Sequence, residues 1–141
     1  MGHSLTQLLA ENSVLLADGA TGTNLFNLGL EAGEAPELWN VDRPGLVEQL
    51  YQGSVDAGVD QALTNTFGGT AARLKLHRAE SRVYELNKAG AEIARKVADA
   101  ADRPIIVAGS VGPTGELMEP IGPLRHDDAV ALFYDQSVAL R

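Results

Sequence analysis

Three short apolar runs, each ending in glycine and small polar residues, recur along this chain with helix-like stretches between them. Val14-Leu15-Leu16-Ala17 ends in Asp18-Gly19. Ala62-Leu63-Thr64 ends in Asn65-Thr66-Phe67-Gly68-Gly69, and Ile105-Ile106-Val107-Ala108 ends in Gly109-Ser110-Val111-Gly112-Pro113. Runs this short and continuous read as strands buried on both faces, the pattern of a parallel sheet covered by helices. The strands are expected near residues 14–18, 61–66 and 105–109.

The stretches between them carry helical spacing. Residues 4–11 read as a leading amphipathic helix with Leu5, Leu8 and Leu9 on one face, broken by Asn12-Ser13. A polar, glycine-rich passage runs from Ala20 to Asn40. Asp42 is placed as an N-cap, with Pro44 in the first turn of a helix whose inward residues are Leu46, Val47, Leu50, Tyr51 and Val55. Gly58 suits its left-handed C-terminus. Val83, Leu86, Gly90, Ile93 and Val97 form the stripe of a second long helix. A last helix is expected from about Asp127 to Leu140, with Val130, Phe133, Tyr134 and Val138 inward and Asp127 and Asp128 favoured by the dipole of its first turn.

The order is therefore one helix, then strand and helix three times. Alternation of this kind implies parallel strands, with a site beyond their carboxyl ends, where all three polar loops fall. Strand starts spaced by roughly 45 residues would require on the order of 350 residues for eight units, within the range of TIM barrels. Three strands cannot close a barrel. The 141 residues are read as a single partial domain, 1–141.

Composition narrows the function classes. With 45% hydrophobic and 21% charged residues the chain has the makings of an ordinary globular core. A net charge of −8 and basic residues paired only at Arg95-Lys96 argue against nucleic acid. Met1-Gly2-His3-Ser4 lacks the basic start of a signal peptide, and no run approaches the about 20 apolar residues of a membrane span. A soluble, cytoplasmic protein is expected. There is no cysteine, so no disulfide, thiolate metal site or cysteine nucleophile can come from this chain.

The strand-end loops carry the candidate chemistry. Asp18 could offer a carboxylate to a substrate ammonium, with Gly19 allowing backbone N–H groups to approach; equally, it could cap its own turn. Asn65 and Thr66 are hydrogen-bonding groups suited to fixing an amino acid, and Phe67 supplies an apolar wall. Ser110 sits at the same rim, followed by the turn residues Thr114 and Glu116. Trp39 is a candidate donor-site residue, one face of a cage for a methylated cation, or a packing residue. His3, His77 and His126 share no ligand spacing and are read as surface or capping groups. No catalytic residue and no metal ligand is assigned.

Leu16-Ala17-Asp18-Gly19-Ala20-Thr21-Gly22-Thr23, Leu63-Thr64-Asn65-Thr66-Phe67 and Ala108-Gly109-Ser110-Val111-Gly112-Pro113-Thr114-Gly115 together resemble the first three strand-end motifs of the homocysteine S-methyltransferase family. That family includes betaine–homocysteine methyltransferases and the N-terminal module of cobalamin-dependent methionine synthase. The resemblance spans residues 12–141. It implies an α/β fold, the N-terminal three βα units of a (β/α)8 TIM barrel, and methyl transfer to homocysteine to give methionine. It implies a zinc ion on three cysteines, which keeps the homocysteine thiolate deprotonated; those cysteines belong to later strands. Asp18 and Gly19 match the homocysteine site, and Asn65, Thr66 and Phe67 the strand-two loop. Some betaine-specific members have Phe-Tyr where this chain has Phe67-Gly68. The methyl donor, betaine or another, is left open. The chain alone is expected to be inactive. The rival reading is a noncatalytic piece that self-associates or is completed by a partner.

Overall fold

The computed structural model describes residues 4–141, so the expectation for His3 lies outside the described residues. The elements in order are α1 (Leu5–Glu11), α2 (Thr21–Asn27), a 3-10 turn Pro36–Leu38, α3 (Trp39–Asp42), α4 (Pro44–Asp56), β1 (Gln61–Leu63), α5 (Ala71–Leu74), 3-10 turns Lys75–His77 and Glu80–Arg82, α6 (Val83–Ala100), β2 (Ile106–Ala108) and α7 (His126–Ala139). β1 and β2 pair in parallel, Gln61 with Ile106, Ala62 with Val107 and Leu63 with Ala108. The chain is thus a mixed α/β fold on a two-stranded parallel sheet.

The expected first strand is reduced to one parallel bridge between Ala17 and Gln61, with Asp18 N–H donating to Gln61 O and Gln61 N–H to Leu16 O. Nor is it buried on both faces. Val14 is 77% and Leu16 53% exposed, because no element covers this side among the described residues. The other two strands have only three residues each; past them Thr64 N–H still donates to Ala108 O, while Asn65 N–H turns to Tyr51 Oη and Ser110 N–H to Thr64 Oγ1.

One layer of helices makes the core. Ala62 of β1 and Ile105 pack against Val47, Leu50 and Tyr51 of α4 and against Ala94, Val97 and Ala98 of α6, with Leu25 and Trp39 filling the gap. Full burial of an aliphatic or aromatic side chain contributes roughly 1.5–3 kcal/mol, so this cluster is the main source of stability. α4 and α6 show the stripes their periodicity predicts. Gly58 takes φ +96° after α4, a backbone shape that suits glycine.

Four expectations need correction. In α1 only Leu8 is buried, while Leu5 and Leu9 are exposed, because a seven-residue helix reaches the body of the protein along one line. Asp42 does not cap α4; it ends α3, and Arg43 occupies the cap position without a side-chain bond. The Ala20–Asn40 passage holds α2, a 3-10 turn and the start of α3. In α7 the buried residues are Ala129, Gln136 and Ala139, and Val130, Tyr134 and Val138 face outward. That helix is held to its neighbours by small residues and one amide, which a search for large apolar side chains misses. No helix among the described residues is long and apolar enough to cross a membrane.

Candidate functional site

Asp18 stands at the end of the 14–18 segment, half-buried, and its Oδ1 accepts from Leu63 N–H at 2.9 Å. Burial raises its pKa above the ordinary 3.8, and the Leu63 N–H opposes that shift only in part. The carboxylate therefore ties the first segment to β1 across the sheet, and its own backbone N–H also steadies it. Ala20, not a glycine, takes the left-handed conformation that starts α2, at φ 54°. Asp18 and Gly19 line an open cleft of about 540 Å³ with Asn24, Gly53 and Ser54.

The second and third loops are joined by a buried polar network. Thr64, Asn65 and Thr66 are all at most 3% exposed. Asn65 Nδ2 donates to Pro36 O at 2.8 Å and Asn40 Oδ1 at 3.0 Å, and its backbone N–H donates to Tyr51 Oη at 2.6 Å. Burial pushes the Tyr51 phenol up, so it stays neutral. Thr66 Oγ1 donates to Ser110 O at 2.7 Å, while Ser110 N–H donates to Thr64 Oγ1 at 2.8 Å. Beneath them Gln136 Nε2 donates to Thr66 O at 2.6 Å and Asn87 Oδ1 at 3.1 Å. Turning the amide over would set its oxygen against these acceptors, so the orientation follows from the network.

These placements sort the expected site residues. The Asn65 amide and the Thr66 hydroxyl are engaged inside the protein, where they fix the loops. Phe67 is 61% exposed at the tip. Ser110 is half-buried, and no hydrogen bond among the described residues uses its hydroxyl. The expected pocket is not one concavity: Asp18 and Gly19 line one cleft, Asn65 and Phe67 another. Trp39 as a donor cage is corrected. It is 3% exposed in the core, with the Arg43 guanidinium 4.9 Å above its ring, so the face a ligand would need is covered.

His126 is exposed at the start of α7, as expected. His77 is half-buried and lines the Phe67 cleft. Glu37, Asn40, Asn87 and Gln136 were not marked by the sequence. The Gly68-Gly69 doublet was the available signal, because a Cβ at Gly68 would lie 2.9 Å from Glu37 Oε1, and one at Gly69 2.2 Å from Asn87 Oδ1. A family-type zinc site does not fit these residues. The chain has no cysteine, and no metal-holding group of three or more His, Cys, Asp or Glu occurs among the described residues.

The family model for homocysteine S-methyltransferases matches residues 15–141. Methionine synthase of Mycobacterium tuberculosis (strain ATCC 25618 / H37Rv) is 34% identical over 113 residues, covering 74% of this chain and 10% of that protein. Methionine synthase of Mycobacterium leprae (strain TN) is 33% identical over 122 residues, covering 80% and 10%. The oxidized form of the Escherichia coli homocysteine methyltransferase MmuM superposes with a TM-score of 0.79 at 27% identity, over 96% of this chain and 52% of that one. Its metallated form gives 0.79 at 26% identity, over 94% and 51%. The chain thus spans about half the length of MmuM and a tenth of the methionine synthases. By this match, this chain belongs to the homocysteine S-methyltransferase family.

Proposed function

We propose that this chain forms the first three βα units of a (β/α)8 barrel and contributes the ammonium-binding side of a homocysteine pocket. Segment 14–18, β1 and β2 lie side by side, parallel and in sequence order, as successive barrel strands do. The observation that carries the reading is Asp18, a half-desolvated carboxylate at the first strand end of a family member. One of its oxygens is held by Leu63 N–H. The other can accept from the α-ammonium of homocysteine, and Gly19 leaves the backbone approachable beside it, with no atom within 4 Å of where its Cβ would be. Asn65, Thr66 and Ser110 hold the neighbouring loops at the rim, and Phe67 lines the neighbouring cleft.

In the reaction the homocysteine sulfur forms a bond to the methyl carbon while the bond from that carbon to the donor breaks, the donor leaving with the electron pair. The sulfur must first lose its proton, because the thiolate is the nucleophile and a free thiol titrates near about 8.5. In the family reading zinc would supply that activation, and these residues, with no cysteine, do not provide its thiolate ligands. The isolated chain should therefore retain no zinc and form no methionine from homocysteine with either betaine or S-methylmethionine as donor. Metal analysis and product chromatography test this; zinc retention together with methionine formation would overturn it.

A second reading has its own observation. Val14 and Leu16 beside the open first segment, and Val130, Tyr134 and Val138 on α7, leave apolar surface at both ends of the sheet. A noncatalytic piece would cover these faces by self-association or with a partner. Light scattering distinguishes the cases: a stable monomer argues against self-association, and a concentration-dependent dimer supports it.

A further inference from the structure

We propose that Asp18-Gly19 is a site of covalent self-modification, where the chain closes a succinimide ring and reopens it in part to isoaspartate. The Gly19 amide nitrogen attacks Asp18 Cγ. A nitrogen–carbon bond forms, the amide proton passes to solvent, and the carboxyl hydroxyl leaves as water. Water then adds to either ring carbonyl. One route restores aspartate; the other sends the main chain through Cγ and leaves the free acid on Cα. The step needs no bound ligand, so it stands whether or not Asp18 meets homocysteine.

Sequence and backbone together single out this position. Asp18-Gly19 is the only Asp-Gly pair in the chain, and there is no Asn-Gly. Ring closure needs an unengaged N–H after the aspartate, and glycine favours it because no Cβ crowds the attacking nitrogen. Gly19 is exposed, and its N–H meets no hydrogen-bond acceptor among the described residues. Other aspartates at element ends differ. The N–H after Asp42 donates to Trp39 O, that after Asp56 to Gly53 O, and that after Asp60 to Leu16 O.

Asp18 presents the other reacting group. Its side chain is half-buried, and Oδ1 accepts from Leu63 N–H at 2.9 Å. That N–H is a fixed donor at an oxygen where negative charge develops as the nitrogen adds, which is oxyanion-hole geometry. Desolvation also keeps the carboxyl in its acid form to higher pH than an exposed aspartate, and the acid is the form that can release water.

The test is ageing of the full chain in neutral buffer at physiological temperature, folded and in guanidinium chloride, followed by endoproteinase Asp-N digestion and mass spectrometry. Succinimide appears as the loss of one water from the fragment holding residue 18, and isoaspartate as lost cleavage before it. Asp18 should be modified at least as fast in the folded chain as in the unfolded one, while Asp42, Asp56 and Asp60 stay intact in the folded chain. Gly19→Ala should slow the reaction about tenfold. Nothing lies within 4 Å of where its Cβ would be, so this variant keeps the fold. Slower modification in the folded chain than in guanidinium chloride, equal modification of all these aspartates, or an unchanged rate in Gly19→Ala would each overturn the proposal.

Discussion

Asp18 shows how one side chain can serve both fold and site. Its carboxyl is raised because desolvation outweighs the Leu63 N–H it accepts. A carboxyl with a higher pKa folded than unfolded favours the folded state while protonated, and that contribution is lost as pH rises through the folded pKa. Asp18→Asn keeps an acceptor for Leu63 N–H and removes the charge. The stability of the parent relative to this variant should therefore fall as pH rises from below 3.8 to neutral. Urea melts of both proteins at acid and neutral pH check this; a pH-independent difference would count against it. The sequence placed Asp18 at a strand end but could not reveal its partner, which is 45 residues away. A separation of 31 residues likewise hid Glu37, whose carboxylate is held by Gly68 N–H.

Among the elements, α4 and α6 were legible because their large apolar residues recur at helical spacing and bury one face. α7 was legible as a helix but not in its orientation, since it turns Ala129, Gln136 and Ala139 inward. Gln136 earns no attention in a hydrophobic pattern, yet it is fully buried and bonds to both strand-end loops. The two loops also touch directly. A Cβ at Gly112 would stand 1.7 Å from Phe67 O, so the third loop passes across the second at a contact only glycine permits. Gly112→Ala should cost at least about 2 kcal/mol in a denaturant melt, in the range of overpacked sites. Gly53→Ala, within α4 where nothing lies within 4 Å, should instead stabilise by about 0.5–1 kcal/mol. Equal effects at the two positions would contradict the loop crossing.

At the scale of the whole molecule, the parallel order of three segments and the helical layer could be read from the alternation of apolar runs and amphipathic stretches. The state of the first segment could not. Val14 and Leu16 have the composition of a buried strand but no covering element among the described residues, so the apolar run stays open with a single bridge. About half the length of MmuM matches this fold, and the chain has no cysteine. What the chain holds is a carboxylate at the first strand end and two loops locked beside it.

The most direct measurement is a titration of the 15N-labelled chain with L-homocysteine. The account predicts saturable shifts at Asp18, Gly19 and Leu63 that disappear in Asp18→Asn. Absence of those shifts, or their persistence in the variant, would contradict the assignment of the homocysteine pocket to this chain.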